Sequence, residues 1–181
     1  MNFHTISEQF TALIDQWTMD LDGYTMTELS YKPQDGGWSL GQVYNHLIQA
    51  TLQFQLKETK RCLSSDINKR RRKSFKGFLV FTILGGFPNT RIKVPPSKSY
   101  TPPSPASKEE LVTGLSTAKQ VFEALLPKVS GGTSKGKSPH PALGYLNAGE
   151  WMRLIPMHFK HHLKQKARLD DELYQVHSTK N

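Results

Sequence analysis

The stretch Trp151-Met152-Arg153-Leu154-Ile155-Pro156-Met157-His158-Phe159-Lys160-His161-His162-Leu163-Lys164-Gln165 decides how this chain reads. At about 100° per residue, Trp151, Leu154, His158, His162, Gln165 and the later Leu169 share one stripe of a helix. Lys160 and Lys164 fall on the far side, where water is expected. Two imidazoles and an amide thus lie on the face that should enter a core. Left without partners there, each would cost on the order of a few kcal/mol. Something must satisfy them.

Working outward, the apolar spacing marks four long helical segments. The last starts after Asn147, has Glu150 in the capping-box position, and runs to about Val176. Pro156 lies inside it and should kink it or remove a hydrogen bond. The first segment spans about Thr5 to Asp22, with Phe10, Leu13, Ile14, Trp17 and Leu21 on its stripe. Thr5 and Glu8 have capping-box spacing, and Gly23 follows as a stop. The second spans about Leu40 to Leu63, capped by Ser39 with Gln42, and its stripe holds Leu40, Val43, Leu47, Ala50 and Phe54. The third spans about Lys108 to Lys128, capped by Ser107 with Glu110, with Leu111, Leu115, Ala118, Phe122 and Leu125 inward.

The connections have their own character. One helical turn fits Thr25 to Ser30. Phe75 to Leu84 reads as a short helix closed by Gly85-Gly86. Pro88, Pro95, Pro96, Pro102, Pro103 and Pro105 forbid regular helix or central strand. Ser130 to Leu146 is rich in Gly, Ser and Lys and reads as flexible. The pattern predicts an all-α protein without substantial sheet. Its expected form is an antiparallel four-helix bundle with a long irregular connection, 64–106, between helices 2 and 3. Residues 1–181 are expected to form a single domain.

Hydrophobic residues are 36% and charged residues 22% of the chain, which excludes both a membrane protein and a disordered one. The longest apolar run, Gly77 to Phe87, falls far short of the ~20 residues of a spanning helix. Cys62 is the only cysteine, so no disulfide framework exists, and it reads as packing rather than as a nucleophile. With no apolar leader after Met1, a reducing cytoplasm is the expected location. The net charge is +9. It concentrates between Lys57 and Lys98, where twelve Lys and Arg face only Glu58 and Asp66. The centre is Lys69-Arg70-Arg71-Arg72-Lys73. Such a run can bind nucleic acid or an anionic surface. No zinc-finger spacing, RNP motif or recognition-helix pattern accompanies it, so a solvated connection is the simpler reading.

His158 and His162, at i and i+4, point the same way and have a common metal-chelate spacing. A Zn, Ni or Fe ion would accept them. A pair of hydrogen-bonded core histidines would fit the pair as well. His46, near the edge of the second stripe, favours the metal. If segments two and four are antiparallel, it can meet the middle of segment four. Three imidazoles would then surround one divalent ion and leave positions open for water or substrate. Gln165 could support these ligands, and His161, about 60° from His158 and adjacent to His162, could orient a ligand or meet substrate, or simply occupy the helix face. His140 sits in a rigid Pro-His-Pro loop and could approach the site.

Trp38-Ser39-Leu40-Gly41-Gln42-Val43-Tyr44-Asn45-His46-Leu47 resembles the W-S-x-x-x-v-x-x-H-l start of the second helix in the DinB/YfiT-like superfamily. Leu146-Asn147-Ala148-Gly149-Glu150-Trp151, followed by His158, His162 and Gln165, is similar to its last-helix motif. His140-Pro141 before Gly144 to Trp151 looks most like the DUF1569 group. The resemblance implies a four-helix bundle, usually dimeric, with a divalent metal on three histidines, which map onto His46, His158 and His162. Known activities in that superfamily include bacillithiol transfer and mycothiol-dependent maleylpyruvate isomerisation, and other members are assigned as metal-dependent hydrolases. A small-molecule substrate and a low-molecular-weight thiol are thereby expected. A homodimer is expected too, with Trp17 and other apolar residues of segment one as spare surface. The competing functions are a non-catalytic metal- or ligand-binding bundle and a nucleic-acid binder working through residues 69–73.

Overall fold

A computed structural model of the protein describes residues 2–87 and 101–178. The part of the Pro-rich connection holding Pro88, Pro95 and Pro96 lies outside the described residues. The described chain is mostly helical, with one small two-stranded sheet.

Helix α1 is Phe3–Asp22. Its cap is Asn2, whose side chain accepts from the N–H groups of His4 and Thr5 at 3.0 and 3.3 Å. The box predicted at Thr5 and Glu8 is not used. Phe3 packs on the core and draws the helix start back past Thr5. Helix α2 is the short turn Met26–Ser30, closed by a Thr25–Glu28 box. Helix α3, Leu40–Gln49, has the expected Ser39–Gln42 box. It continues without a break through a π-turn, Ala50–Gln55, into α4, Leu56–Ser64. Helix α5, Phe75–Phe78, likewise runs on through a π-turn, Leu79–Leu84, and ends at Gly85. Helix α6 is Lys108–Ser130, capped by Ser107. Helix α7 is Ala148–Ser178, and Pro156 does not end it. Its start is a mutual pair: Glu150 N–H donates to Asn147 Oδ1, and Asn147 N–H to Glu150 Oε2.

Two expectations change. The region 130–146 is not a featureless loop. It holds strands β1, Lys137–His140, and β2, Gly144–Asn147, paired antiparallel with Ser138 opposite Leu146. Pro139 and the surrounding Gly, Ser and Lys hide this hairpin from a propensity reading. The basic run is not simply solvated either. Its backbone lies along β2: Tyr145 N–H donates to Arg72 O at 3.1 Å, and Ser74 N–H to Leu143 O at 2.9 Å. Gly144 makes this possible. Its φ is +76°, and a Cβ there would sit 2.3 Å from the Ser74 nitrogen. Lys73 then pairs with the buried carboxylate of Glu150. The Arg71 guanidinium lies 4.9 Å over the Tyr145 ring.

The core joins α1, α3, α6 and α7 through aromatic side chains. Phe10 meets Phe122 at 4.2 Å and Phe159 edge-on at 5.4 Å. Trp17 stands edge-on to Tyr44 at 4.9 Å and to Phe159 at 6.3 Å, and Tyr44 Oη donates to Trp17 O at 2.9 Å. Trp17 is therefore fully buried and offers no surface for pairing two chains. The Pro-rich stretch 101–106 lies along α3, where Gln42 and Asn45 donate to Pro102 O and Pro103 O at 2.6 and 3.0 Å. No described helix is long and apolar enough to cross a membrane.

The Lys73–Glu150 pair sets a test within the basic run. Lys73→Met leaves a buried carboxylate unpaired at the start of α7 and should cost roughly 1–3 kcal/mol in urea unfolding. Arg70→Gln, on the exposed side, should change stability by less than about 0.5 kcal/mol. Equal effects would show that the run is held only by its charge.

Candidate metal centre

Three elements of local sequence aim the histidines. Ser39 and Gln42 start α3 with Trp38 just outside it, which places His46 in the last turn before the π-turn. Trp38 then covers His46, with ring centres 4.9 Å apart. His158 and His162 stand one turn apart on α7, flanking the buried Phe159 that holds that helix in the aromatic core.

The side chains converge. His46 Nε2 lies 3.0 Å from His158 Nε2, and His162 Nε2 lies 3.1 Å from the same atom. The ligand nitrogens of all three lie within 4.8 Å of one another. Among the described residues this is the one cluster of three or more potential ligand side chains. Three Nε2 atoms meeting at one point is poor hydrogen bonding, because a neutral imidazole has one donor and one acceptor nitrogen. It suits a shared cation with bonds of ~2.0–2.1 Å.

Gln165 supplies the clearest evidence on protonation. Its Oε1 lies 3.0 Å from His162 Nδ1, and in this orientation of the amide it accepts a proton held on Nδ1. Nε2 is then a lone pair directed at the centre. Gln165, read as a support for the ligands, thus touches one of the three histidines. Gln55, which the periodicity of segment two had not brought forward, lies with its amide 3.5 Å from His158 Nδ1. At 100° per residue Gln55 falls opposite His46. The π-turn Ala50–Gln55 inserts one residue per turn and rotates the following face toward α7. For the same reason Gln55, Leu56, Thr59 and Cys62 are buried, whereas Ala50 and Phe54, predicted inward, are only partly covered. A buried glutamine amid apolar positions was the available signal; its direction was not.

Burial sets the charge state. Desolvation pushes His46 down to about 4 and His162 to about 3, with the other imidazoles adding to the latter. His158 is driven well below its ordinary value by desolvation, then by His162 and His46. All three are neutral at physiological pH, the form that binds metal. His161 is not part of the cluster. Its ring lies 5.4 Å from His162 and 5.5 Å from Phe87, at the edge of the site. His140 does not approach the centre with its Nδ1, which accepts the N–H groups of Ala142 and Leu143 at 3.1 and 3.2 Å and so closes the hairpin turn. Its ring packs on Trp151 and Phe54. Cys62 is buried near Ser138 and the Leu146 carbonyl, and burial raises its thiol pKa, as a packing residue requires.

On α7 beyond the centre, Lys166 bonds Asp170 at 2.8 Å and Asp20 at 3.0 Å, and Tyr24 donates to Asp170 at 2.6 Å. Burial lowers the Lys166 pKa, but its bonds to Asp170, Tyr24 and Asp20 outweigh that and raise it. This network ties the end of α1 to α7 and uses the nearby carboxylates. Glu150 is likewise occupied by Lys73 and by its cap. No described carboxylate is bonded to the three histidines.

The pKa shifts fix a pH dependence. An unfolded histidine binds its proton near ~6.5, whereas the folded groups resist it down to about 4 at His46 and about 3 at His162. Between these limits the unfolded chain holds more protons, so the metal-free protein loses stability as pH falls below about 6.5. Denaturation at a series of pH values should show this slope, and His46→Gln should reduce it. An undiminished slope in that variant would place the titration elsewhere.

Comparison with known proteins supplies the family. No curated protein and no solved structure matches the chain. The family model described as the DinB superfamily matches residues 9–165. That span reaches from α1 to Gln165 and contains His46, His158 and His162. The chain belongs to the DinB superfamily.

Proposed function

We propose that the chain is a metal-dependent enzyme acting on a small molecule, with one divalent ion held by His46, His158 and His162. The observation that supports this reading is the meeting of three neutral imidazoles through Nε2, His162 buried and His46 and His158 half-buried. We read the helices α1, α3–α4, α6 and α7 as an antiparallel four-helix bundle around that point. His46, His158 and His162 would hold the ion, and a divalent cation held by them would supply Lewis acidity, lowering the pKa of a water or thiol at neutral pH. The substrate class we infer is an electrophile attacked by a low-molecular-weight thiol, giving S-transfer; hydrolysis is the second reaction type of the same site.

The chain's own residues have distinct tasks. Gln165 holds the His162 proton on Nδ1 and keeps Nε2 free. A half-turn of the Gln55 amide would present its oxygen to His158 Nδ1 and do the same there. Trp38 shields His46 from water. Phe87 and His161 flank the cluster on the α7 side and can contact a substrate. Three protein ligands would leave room beside a bound ion for water or substrate.

Metal analysis of the purified protein tests the reading. About one ion per chain is expected, and His46→Ala, His158→Ala or His162→Ala should each lose most of it. Gln165→Ala should weaken binding by roughly 10–100-fold. The metal-free variants should keep a helical far-ultraviolet spectrum, because the aromatic core does not include the histidines. Metal-loaded protein inert toward both thiol–electrophile pairs and hydrolysable esters would favour a non-catalytic metal-binding bundle. Protein that takes up no metal would leave a hydrogen-bonded histidine cluster.

A further inference from the structure

The segment Phe75–Leu84 carries apolar side chains on both of its faces. Its inner face is pinned. Gly77 lies so close to the hairpin that a Cβ would sit 2.2 Å from the Leu143 oxygen, and Val80 and Phe81 are buried. Ser74 caps the segment and also donates through Oγ to Ala142 O at 2.8 Å. Arg153 of α7 donates to Phe81 O at 2.9 Å. With the inner face anchored on these partners, the outer face keeps Phe75 76%, Phe78 46%, Ile83 62% and Leu84 54% exposed. No described residue covers them. Leaving four large apolar side chains together in water is unfavourable, and such patches mark contact surfaces.

The charge beside this face says what would cover it. Lys69, Arg70, Arg72 and Lys76 are exposed immediately before and within the segment. Arg70 to Ser74 with Gly144 and Tyr145 line a shallow cationic recess at its N-terminal end. We propose that Lys69–Leu84 is a docking surface for an anionic lipid bilayer. Phe75, Phe78, Ile83 and Leu84 enter the boundary between headgroups and acyl chains, and the four cations lie against lipid phosphates. The pairing of a basic cluster with exposed aromatic and aliphatic side chains is what binding at such a surface requires. It is peripheral attachment, not spanning. A second copy of the chain fits poorly, since apposing the two faces would bring two basic clusters together. Single-stranded nucleic acid would satisfy the cations and stack on Phe75 and Phe78, but Ile83 and Leu84 offer no ring for a base. Phe87 touches His161, so docking would bring the membrane near the histidine cluster.

Sedimentation of the full-length protein with vesicles tests this. Binding is expected to vesicles of about one-third phosphatidylglycerol in phosphatidylcholine and not to phosphatidylcholine alone. It should fall steeply between roughly 0.05 M and 0.5 M salt. Phe75→Ser with Ile83→Ser, and separately Arg70→Gln with Arg72→Gln, should each weaken it by about tenfold or more while the far-ultraviolet spectrum stays unchanged. Absence of binding to anionic vesicles, or undiminished binding by both double variants, overturns the proposal. So does a single-stranded oligonucleotide binding where vesicles do not. A wild-type dimer converted to monomer by Phe75→Ser with Ile83→Ser would assign the face to a second copy and overturn it equally.

Discussion

The indole of Trp17 is the junction on which the histidine cluster depends. It stands edge-on to Tyr44 of α3 and to Phe159 of α7, and its carbonyl receives the Tyr44 hydroxyl. Burying three aromatic side chains of this size is strongly favourable, and their edge-to-face geometry restricts how the helices can rotate. His46 is two residues beyond Tyr44, and His158 immediately precedes Phe159. Fixing the two aromatics fixes the rotation of both helices about their axes. The imidazoles then have one direction in which to point, which is toward each other.

That convergence has an electrostatic consequence. A chain with a net charge of +9 must keep its own cations away from a histidine cluster proposed to take up another cation. The fold does so by location. Lys73 is drawn to Glu150, Arg71 lies on Tyr145, and the remaining cations of the run face outward from the hairpin. Lys166, on the same helix as the histidines, is neutralised by Asp20 and Asp170. The histidines stay neutral through desolvation, and among the described residues no carboxylate is bonded to them to draw a proton in. A cation held by these neutral ligands would have no bonded carboxylate, among the described residues, to offset its charge.

The π-turn at Ala50–Gln55 matters for the same centre. It lets one continuous helical stretch, Leu40 to Ser64, serve two faces: His46 before the turn and Gln55 at its end both address α7. A regular α-helix would have turned Gln55 away. Interruptions of this kind recur at functional sites because they reorient side chains without ending the helix.

Much of this protein was determined by local sequence. The caps at Ser39 and Ser107 and the 3.6-residue apolar period located the long helices to within a few residues, because capping and amphipathicity act over a turn or two. The polar interruption at His158, His162 and Gln165 marked the site, since unpartnered polar groups on a buried stripe demand an explanation. Tertiary structure decided the rest. Asn2 displaced Thr5 as the cap once Phe3 had a core to enter. The hairpin β1–β2 formed from residues of weak strand propensity because the basic run lay down beside it and supplied further hydrogen bonds. Trp17 became core, not spare surface, because two aromatics from other helices closed over it. His46 and Gln55 gained their relation to α7 only through helix rotation and the π-turn. These depend on contacts between residues far apart in the chain, which spacing along one segment cannot encode.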